Sequence, residues 1–204
     1  NDIDYADKLV IFGVTKIEPS KLKDKIISSS SCDCVAIAPL LESLKSKKIE
    51  SCWIVSLHPY VSDQQLLDNT PKSHEPVLSP LMLRSSINSL IPKYTSIADV
   101  IMKALPYLKK KVSSYQIRVP TSCVSGALVE INFKEKVDSI FIKKWLTKLK
   151  EPVFRINEDL LTSIDFCGDP HSVIIDKRFI KNEGKNLKLL IWYDNEAGYS
   201  ARVV

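Results

Sequence analysis

The sequence ISSSSCDCVAIAPLLESL, residues 27–44, carries the strongest structural signal in the chain. A run of serines at 28–31 leads into an apolar segment with helical spacing, formed by Val35, Ala36, Ile37, Leu40, Leu41 and Leu44. Lysines after residue 44 complement the negative end of a helix dipole. Pro39 is expected near the first turn, where its missing N–H does least harm. The pattern predicts a buried helix that begins close to Cys32.

Strand patterns lie on both sides of this helix. Residues 52–57, CWIVSL, are typical of a buried strand, and His58 stands at its end. Strands that follow one another without regular alternation with helices predict an α+β domain, with a mixed, largely antiparallel sheet and helices on one face. The other elements predicted are strands at 8–14, 115–119, 126–133, 162–167, 171–176 and 187–193, helices at about 95–110 and 138–149, and a long loop at 69–83.

Length and composition narrow the choice of function. The 204 residues, 45% of them hydrophobic, suit one sizeable globular domain. The net charge of +5 comes from lysines spread over the whole chain. Nucleic-acid surfaces usually cluster Lys and Arg with aromatic or groove-reading partners, so we expect no nucleic-acid partner. No apolar stretch approaches the roughly 20 residues of a membrane span, so we expect no membrane association.

The five cysteines form an odd set, and most lie inside apolar runs. This usage predicts reduced thiols in a cytoplasmic protein rather than a disulfide framework. A metal site built from Cys32, Cys34, Cys167 and His171 would not have the spacing of zinc ligands, so we expect no metal. His171 is instead expected to have a satisfied hydrogen bond.

Glycine usage excludes one kind of site. The chain has five glycines and contains no G-x-G-x-x-G sequence. A dinucleotide-binding fingerprint needs such glycines so that the backbone can approach the pyrophosphate. These 204 residues therefore cannot form that fingerprint site by themselves.

Cys32 and His58 are the candidate catalytic pair. Cys32 lies where the serine run enters the helix, and a helix N-terminus favours thiolate over thiol. His58, at the end of the next strand, could hydrogen-bond that sulfur, which gives the nucleophile and base that covalent catalysis requires. The alternative on spacing alone is a buried structural cysteine and an unrelated surface histidine.

Four blocks of sequence resemble the glyceraldehyde-3-phosphate dehydrogenase family. Residues 27–40 are similar to the family's I-S-N-A-S-C-T-T-N-C-L-A-P-L, and residues 118–125, RVPTSCVS, to R-V-P-T-x-x-V-S. Residues 165–172, DFCGDPHS, match D-F-x-G-D-x-H-S, and residues 192–204 resemble W-Y-D-N-E-W-G-Y-S-N-R-V-V. The blocks keep the family's order across about residues 8–204. The resemblance implies the family's catalytic, C-terminal domain, residues 1–204, without the NAD-binding Rossmann domain and the C-terminal helix.

The resemblance also implies an activity and the residues that carry it. The family oxidises glyceraldehyde 3-phosphate in glycolysis with NAD (or NADP) and inorganic phosphate, through a cysteine thioester, as a homotetramer. Cys32 would be the nucleophile and His58 the base. Arg118 would bind the substrate phosphate. The other positions carried over are Ser31 and Thr95 at the inorganic phosphate, Arg84 between the two phosphates, and Asn195 and Tyr199 at the nicotinamide.

The chain also departs from the family pattern. Asp33 replaces a threonine that helps to bind phosphate, and a carboxylate there is expected to repel phosphate and to disfavour the Cys32 thiolate. Val35 and Ala197 replace a polar residue and a tryptophan. Asp63, in the phosphate region, begins a D-Q-Q sequence like that of erythrose-4-phosphate dehydrogenase. Two alternatives therefore stay open: erythrose-4-phosphate oxidation, or a catalytically silent relative that acts as an interaction protein.

Overall fold

The computed structural model describes residues 6–15, 26–62, 64–70 and 80–203. Its helices are α1 Cys32–Ser43, α2 Ile97–Ala104, α3 Ser139–Leu146 and α4 Ala197–Ser200. Its strands are β1 Lys8–Leu9, β2 Ile27–Ser28, β3 Ile49–Pro59, β4 Ile91–Lys93, β5 Val112–Val119, β6 Ser125–Phe133, β7 Phe154–Asn157, β8 Val173–Asp176, β9 Lys181–Glu183 and β10 Asn186–Tyr193.

Eight of these strands form one mixed sheet in the order β4-β5-β3-β6-β10-β8-β7, and β9 pairs with β10 beyond that path. The β3–β5 and β7–β8 pairs are parallel, whereas β4–β5, β3–β6, β6–β10, β8–β10 and β9–β10 are antiparallel. The predicted α+β class with a mixed, largely antiparallel sheet is confirmed.

The core lies between the helices and one face of this sheet. Alternate residues of β3, among them Ile54, Ser56 and His58, are buried on the side of the helices, while Trp53 on the opposite face is 43% exposed. This alternation follows from the period of two in a strand. Helix α1 is buried from Asp33 to Leu41 and occupies the centre of the core.

Two contacts join the neighbouring helices to α1. The Cys34 thiol lies 3.8 Å from the carbonyl oxygen of Ile97 at the start of α2. The indole Nε1 of Trp145 in α3 donates to Ser43 Oγ at 2.9 Å. Pro39, expected in the first turn, instead lies inside α1, because the helix begins at Cys32. The apolar surroundings hold the helix together where a backbone N–H is missing.

Several predicted boundaries are wrong. The helix expected at 95–110 ends at Ala104, because Pro106 cannot continue it and starts a 3₁₀ turn instead. The strand expected at 162–167 is a 3₁₀ helix, whose first turn is held by a reciprocal Thr162–Asp165 capping box. Strand β7 had no predicted counterpart. The strand expected at 8–14 is limited to Lys8–Leu9, and part of the 69–83 loop lies outside the described residues.

The expectation of reduced thiols is wrong for two cysteines. Cys123 and Cys167 form a disulfide, with their Cα atoms 6.1 Å apart, a separation that a disulfide can span. Their 44-residue separation in sequence gave no sign of this pairing. Cys32, Cys34 and Cys52 remain free thiols.

The sheet face that points away from the helices is partly apolar and open. Tyr115 is 63% exposed, and Leu128 and Phe179 are each 48% exposed. Trp53, Leu128 and Phe179 line a cavity of about 440 Å³ on this face. Within the described ranges, no helix combines the length and the apolar character needed to cross a bilayer.

Replacing Ile37 by Ala should test whether α1 is the centre of the core. Ile37 is fully buried, so its loss should lower the free energy of unfolding by about 2–5 kcal/mol through lost burial and a residual cavity. Urea unfolding followed by circular dichroism measures the change. Leu160→Ala is the matched control, because Leu160 is 90% exposed and its truncation should change stability by less than about 0.5 kcal/mol. Equal effects of the two substitutions would contradict the described packing.

Candidate active site

Cys32 is positioned by the turn that precedes it. Ser30 has a left-handed φ of +75°, and Ser31 is extended and forms the N-cap of α1. The Tyr199 hydroxyl lies 2.5 Å from Ser29 Oγ and donates to the Ser30 carbonyl oxygen at 3.3 Å. This bracing fixes the serine run and places the half-buried Cys32 side chain at the start of the helix, as the sequence predicts.

His58 meets this thiol from the end of β3. Its Nε2 atom lies 3.4 Å from Cys32 Sγ, and its Nδ1 atom lies 2.8 Å from the carbonyl oxygen of Pro59. The Pro59 carbonyl oxygen can only accept, which favours a ring proton on Nδ1, whereas the Arg118 guanidinium beside Nδ1 can only donate, which favours the other tautomer. With the proton on Nδ1, the Nε2 lone pair faces the sulfur, which is the arrangement that a general base needs.

Arg118 stands beside His58 because β3 and β5 are parallel and pair His58 with Arg118 in register. The guanidinium is buried, with Nη1 against His58 Nδ1 and 3.1 Å from the carbonyl oxygen of Pro59. A cation thus lies on the side of the imidazole away from Cys32. The three residues that the resemblance makes central are brought together.

Asp33 does not point toward solvent, where it would repel phosphate directly. Its carboxylate is buried beneath Cys32 and accepts three hydrogen bonds: from Ser56 Oγ at 2.5 Å, Tyr193 OH at 2.7 Å and Gln116 Nε2 at 3.2 Å. The Cys32 thiol is a weaker fourth donor, with Sγ 3.7 Å from Oδ2. These donors offset the cost of burying a charge.

The electrostatics of the pair differ from the activated thiolate expected at a helix N-terminus. Burial raises the pKa of the Cys32 thiol far above its usual range, and the neighbouring Asp33 carboxylate raises this pKa further. Burial lowers the pKa of His58, and Arg118 acts in the same direction against the opposite effect of Asp33. Near neutral pH the pair is therefore a thiol and a neutral imidazole.

Ser31 and Thr95, expected at the inorganic phosphate, lie at the starts of two adjacent helices. Ser31 caps α1, and Thr95 Oγ1 accepts from the Ile97 N–H at 3.2 Å in the first turn of α2. The contact between Cys34 and the Ile97 carbonyl oxygen joins these two helix starts. Backbone N–H groups at helix starts, together with hydroxyls, favour an anion.

The remaining candidates fall into three groups. Asn195 and Tyr199 lie around the start of α4. There Asp194 Oδ1 accepts hydrogen bonds from the N–H groups of residues 196 and 197. The Tyr199 hydroxyl contacts the serine run before Cys32. Arg84 is exposed and pairs with Asp68 at 3.1 Å, rather than with any described residue around Cys32. Asp63 lies outside the described residues.

The sequence analysis missed three residues of the site: Ser56, Gln116 and Tyr193. A signal for the first two existed in the period-two pattern of the strands, since Ser56 and His58 share one face of β3, and Gln116 and Arg118 share one face of β5. Polar residues at two successive buried positions of a strand indicate a polar site beneath a helix.

The cysteines and the histidine of the discounted metal set have other partners. Cys34 lies against the Ile97 carbonyl oxygen, and Cys167 is in the disulfide. His171 Nδ1 lies 2.6 Å from Asp169 Oδ1, which confirms the expected hydrogen bond.

Known proteins resemble this chain over nearly its whole length. It is 32% identical over 205 residues to glyceraldehyde-3-phosphate dehydrogenase 2 of Bacillus subtilis (strain 168), with 97% of this chain and 58% of that protein covered. It is 33% identical over 209 residues to glyceraldehyde-3-phosphate dehydrogenase of Zymomonas mobilis, with 98% and 59% covered. A glyceraldehyde-3-phosphate dehydrogenase-like protein of Pseudomonas aeruginosa (strain UCBPP-PA14) is 33% identical over 188 residues, with 89% and 40% covered.

The chain thus spans about three fifths, or less, of the length of these relatives. Residues 31–195 match the family described as glyceraldehyde 3-phosphate dehydrogenase, C-terminal domain. This match begins at the N-cap of α1 and runs through Asn195, so it includes Cys32, His58 and Arg118. With the pairing of Cys32 and His58 in the fold, these similarities establish that the chain belongs to the family of glyceraldehyde 3-phosphate dehydrogenase C-terminal domains.

Proposed function

We propose that this chain is the catalytic half of a phosphorylating, NAD- or NADP-dependent aldehyde dehydrogenase that oxidises glyceraldehyde 3-phosphate in glycolysis. The observation that carries the proposal is the 3.4 Å contact between Cys32 Sγ and His58 Nε2, with the other ring nitrogen of His58 held between the Pro59 carbonyl oxygen and the Arg118 guanidinium. This geometry supplies a nucleophile, a base and an orienting group.

The first step forms a bond between Cys32 Sγ and the aldehyde carbon. His58 Nε2 accepts the thiol proton as the sulfur attacks, and the carbonyl π electrons move to oxygen. The backbone N–H of Cys32 and the protonated Nε2 stabilise this oxyanion. His58 then returns the proton to the oxygen, which gives a thiohemiacetal. No net charge is left on the pair, a feature suited to a buried site in which the thiolate is disfavoured.

The second step is the oxidation. A nicotinamide cofactor held at this site would supply the acceptor for the hydride of the former aldehyde carbon. His58 Nε2 accepts the hydroxyl proton as the hydride departs, so that a thioester remains on Cys32. Inorganic phosphate then attacks the thioester carbonyl, the C–S bond breaks, and Cys32 leaves as a thiolate that takes the proton from His58.

The residues around α4 fit one edge of a nicotinamide site. The Tyr199 ring is fixed by its contacts to the serine run before Cys32, and Asn195 follows the Asp194 carboxylate that caps α4. An aromatic ring braced against the serine run before the nucleophile, together with the Asn195 amide four residues earlier in the chain, would orient the nicotinamide. Asn195 and Tyr199 are the contribution of these 204 residues to the cofactor, and the dinucleotide fingerprint has to come from elsewhere.

Phosphate binding would use the starts of α1 and α2 and the arginines. Ser31 and Thr95 supply hydroxyls at the starts of two helices, where the helix dipoles favour inorganic phosphate. The buried Arg118 cation adds a positive field from the side of His58. Arg84 would have to exchange Asp68 for a phosphate, a small loss because exposed ion pairs contribute about 0–1 kcal/mol.

One observation favours a second candidate function. The Asp33 carboxylate and burial together raise the pKa of Cys32, which slows any reaction that begins with a thiolate. A catalytically silent relative that acts through its surfaces is therefore the second candidate. Erythrose-4-phosphate oxidation gains no support from the described residues, since Asp63 lies outside them.

Acylation of Cys32 by acetyl phosphate tests the proposed function without the cofactor. The thiol should displace phosphate from the acyl group and retain an acetyl thioester, detected by mass spectrometry and removed by hydroxylamine. Cys32→Ser should give no thioester, and His58→Asn should lower the acylation rate by about 10²–10⁴-fold, because the base is lost. Cys52→Ser is the control and should acylate at the normal rate. A chain that acylates no faster at Cys32 than at Cys52 would favour the silent alternative.

Replacing Asp33 by Asn should make the Cys32 thiol easier to deprotonate. The nearest anion is lost, so the pKa of Cys32 should fall by about one unit and its iodoacetamide labelling near neutral pH should speed up about tenfold. Rates of labelling at Cys32, measured by peptide mass mapping across pH, give the shift. Asp99→Asn in the exposed first turn of α2 is the matched control. An unchanged profile would show that burial alone governs the thiol.

We also propose that the open sheet face mediates self-association, as in the homotetramer that the family resemblance implies. Exposed Trp53, Leu128 and Phe179 give this face an apolar surface that water disfavours. Leu128→Lys should lower the mass measured by light scattering, because a buried lysine disrupts an apolar interface. Ile140→Lys, at a position 61% exposed on α3 in the helix layer, is the control. A monomer in every case would refute the proposal.

A further inference from the structure

Three ligand-type atoms converge at the start of α1. Cys32 Sγ, one carboxylate oxygen of Asp33 and one ring nitrogen of His58 all lie within 4.8 Å of one another. The sequence analysis predicted no metal, because it compared only cysteines and His171 by their spacing. Asp33 and His58 join the set only through the fold, in which β3 ends beside the first turn of α1.

The separations within the trio agree with a tetrahedral metal centre. Cys32 Sγ lies 3.4 Å from His58 Nε2 and 3.7 Å from Asp33 Oδ2. Ligands at zinc–sulfur and zinc–nitrogen distances of about 2.3 and 2.0 Å in tetrahedral geometry lie roughly 3.5 Å apart. Two of the three separations thus match this geometry, and the third, between His58 and Asp33, lies within 4.8 Å.

The groups behind the trio hold each ligand in the orientation that a metal requires. His58 Nδ1 faces the Pro59 carbonyl oxygen and the Arg118 guanidinium, so Nε2, the ring nitrogen turned toward Cys32, is the ligand atom. Ser56 and Tyr193 both donate to Asp33 Oδ1, so Oδ2 is left with Gln116 and the Cys32 thiol. Such outer hydrogen bonds to the histidine and the carboxylate are typical of metal sites.

The charges select the kind of ion. A thiolate and a carboxylate neutralise a divalent cation, while the buried Arg118 and the helix N-terminus oppose it. A site with one sulfur, one nitrogen and one oxygen ligand suits zinc-like ions rather than Mg²⁺ or Ca²⁺. Three protein ligands leave the fourth tetrahedral position to water or a small anion, so binding should be weaker than in closed four-ligand sites.

We propose that Cys32, Asp33 and His58 form a three-ligand site for Zn²⁺ or a similar thiophilic divalent cation. The third ligand is a feature of this sequence, since the family motif quoted above has threonine where Asp33 stands. A bound ion engages the Cys32 lone pair that would attack an aldehyde. Metal binding and acyl transfer therefore exclude each other, and the ion acts as a reversible inhibitor of the thiol. The site itself stands on geometry and does not depend on dehydrogenase activity.

Titration with Co²⁺ tests the site directly, because a cobalt–thiolate bond gives a charge-transfer band in the near ultraviolet. The unmodified chain should bind one equivalent with this band, and Zn²⁺ should displace it. Cys32→Ser should abolish the band, and Asp33→Asn and His58→Gln should each weaken Co²⁺ binding at least tenfold. Cys52→Ser and the double variant Cys123→Ser/Cys167→Ser should retain the band, which separates this site from the other thiols.

A second measurement, made on the unmodified chain, tests the metal site even where a variant fails to fold. In the unmodified chain, Zn²⁺ should protect Cys32 from iodoacetamide while Cys52 labels at an unchanged rate. Absence of the cobalt band, its survival in Cys32→Ser, or equal affinity in a folded Asp33→Asn variant would overturn the proposal. Each readout is spectroscopic or chemical. A chain without acyl transfer that still shows the cobalt band would refute the proposed function and leave the metal site standing.

Discussion

The parallel pairing of β3 with β5 is the constraint on which the site depends. Its register sets Ser56 opposite Gln116 and His58 opposite Arg118, so that two successive pairs of inward-facing side chains are polar. Helix α1 begins above these pairs, and its first two side chains meet one pair each. Cys32 contacts His58, whereas Asp33 contacts Ser56 and Gln116. A shift of β5 by one residue would turn Gln116 and Arg118 to the open face and leave Ser56 and His58 without their polar partners.

The carboxylate beneath the nucleophile changes what the thiol can do. Burying a lone charge costs several kcal/mol, and Asp33 avoids that cost because hydroxyl and amide donors from three strands surround it. Burial raises the pKa of Tyr193 well above its usual range, and the Asp33 carboxylate, which Tyr193 and Cys32 both contact, raises this pKa further. The hydrogen-bond network therefore stabilises the buried Asp33 carboxylate, and this carboxylate in turn disfavours the thiolate form of Cys32.

The sequence was sufficient for the parts of the site that depend on element ends. The serine-to-apolar transition predicted the start of α1, and the strand 52–57 predicted the place of His58. The direction of Asp33 could not be predicted, because adjacent residues at a helix start face different neighbours and only the sheet decides which are polar. The Cys123–Cys167 disulfide was missed because its partners are 44 residues apart. The 3₁₀ helix at Ser163–Phe166 was missed because its local capping bonds outweigh its strand-like composition.

The charge on Asp33 acts in opposite directions on the two uses proposed for Cys32. Acyl transfer passes through an oxyanion bonded to the carbon that Sγ attacks, and a carboxylate near that sulfur repels the new negative charge. At an effective dielectric constant of 20, two unit charges about 4 Å apart interact by about 4 kcal/mol. A divalent cation at the same sulfur carries twice the charge and gains about twice this attraction, of which Arg118 and the helix N-terminus remove a part. A threonine at position 33 therefore favours the anionic transition state of acyl transfer, whereas an aspartate favours the binding of a cation at the Cys32 sulfur.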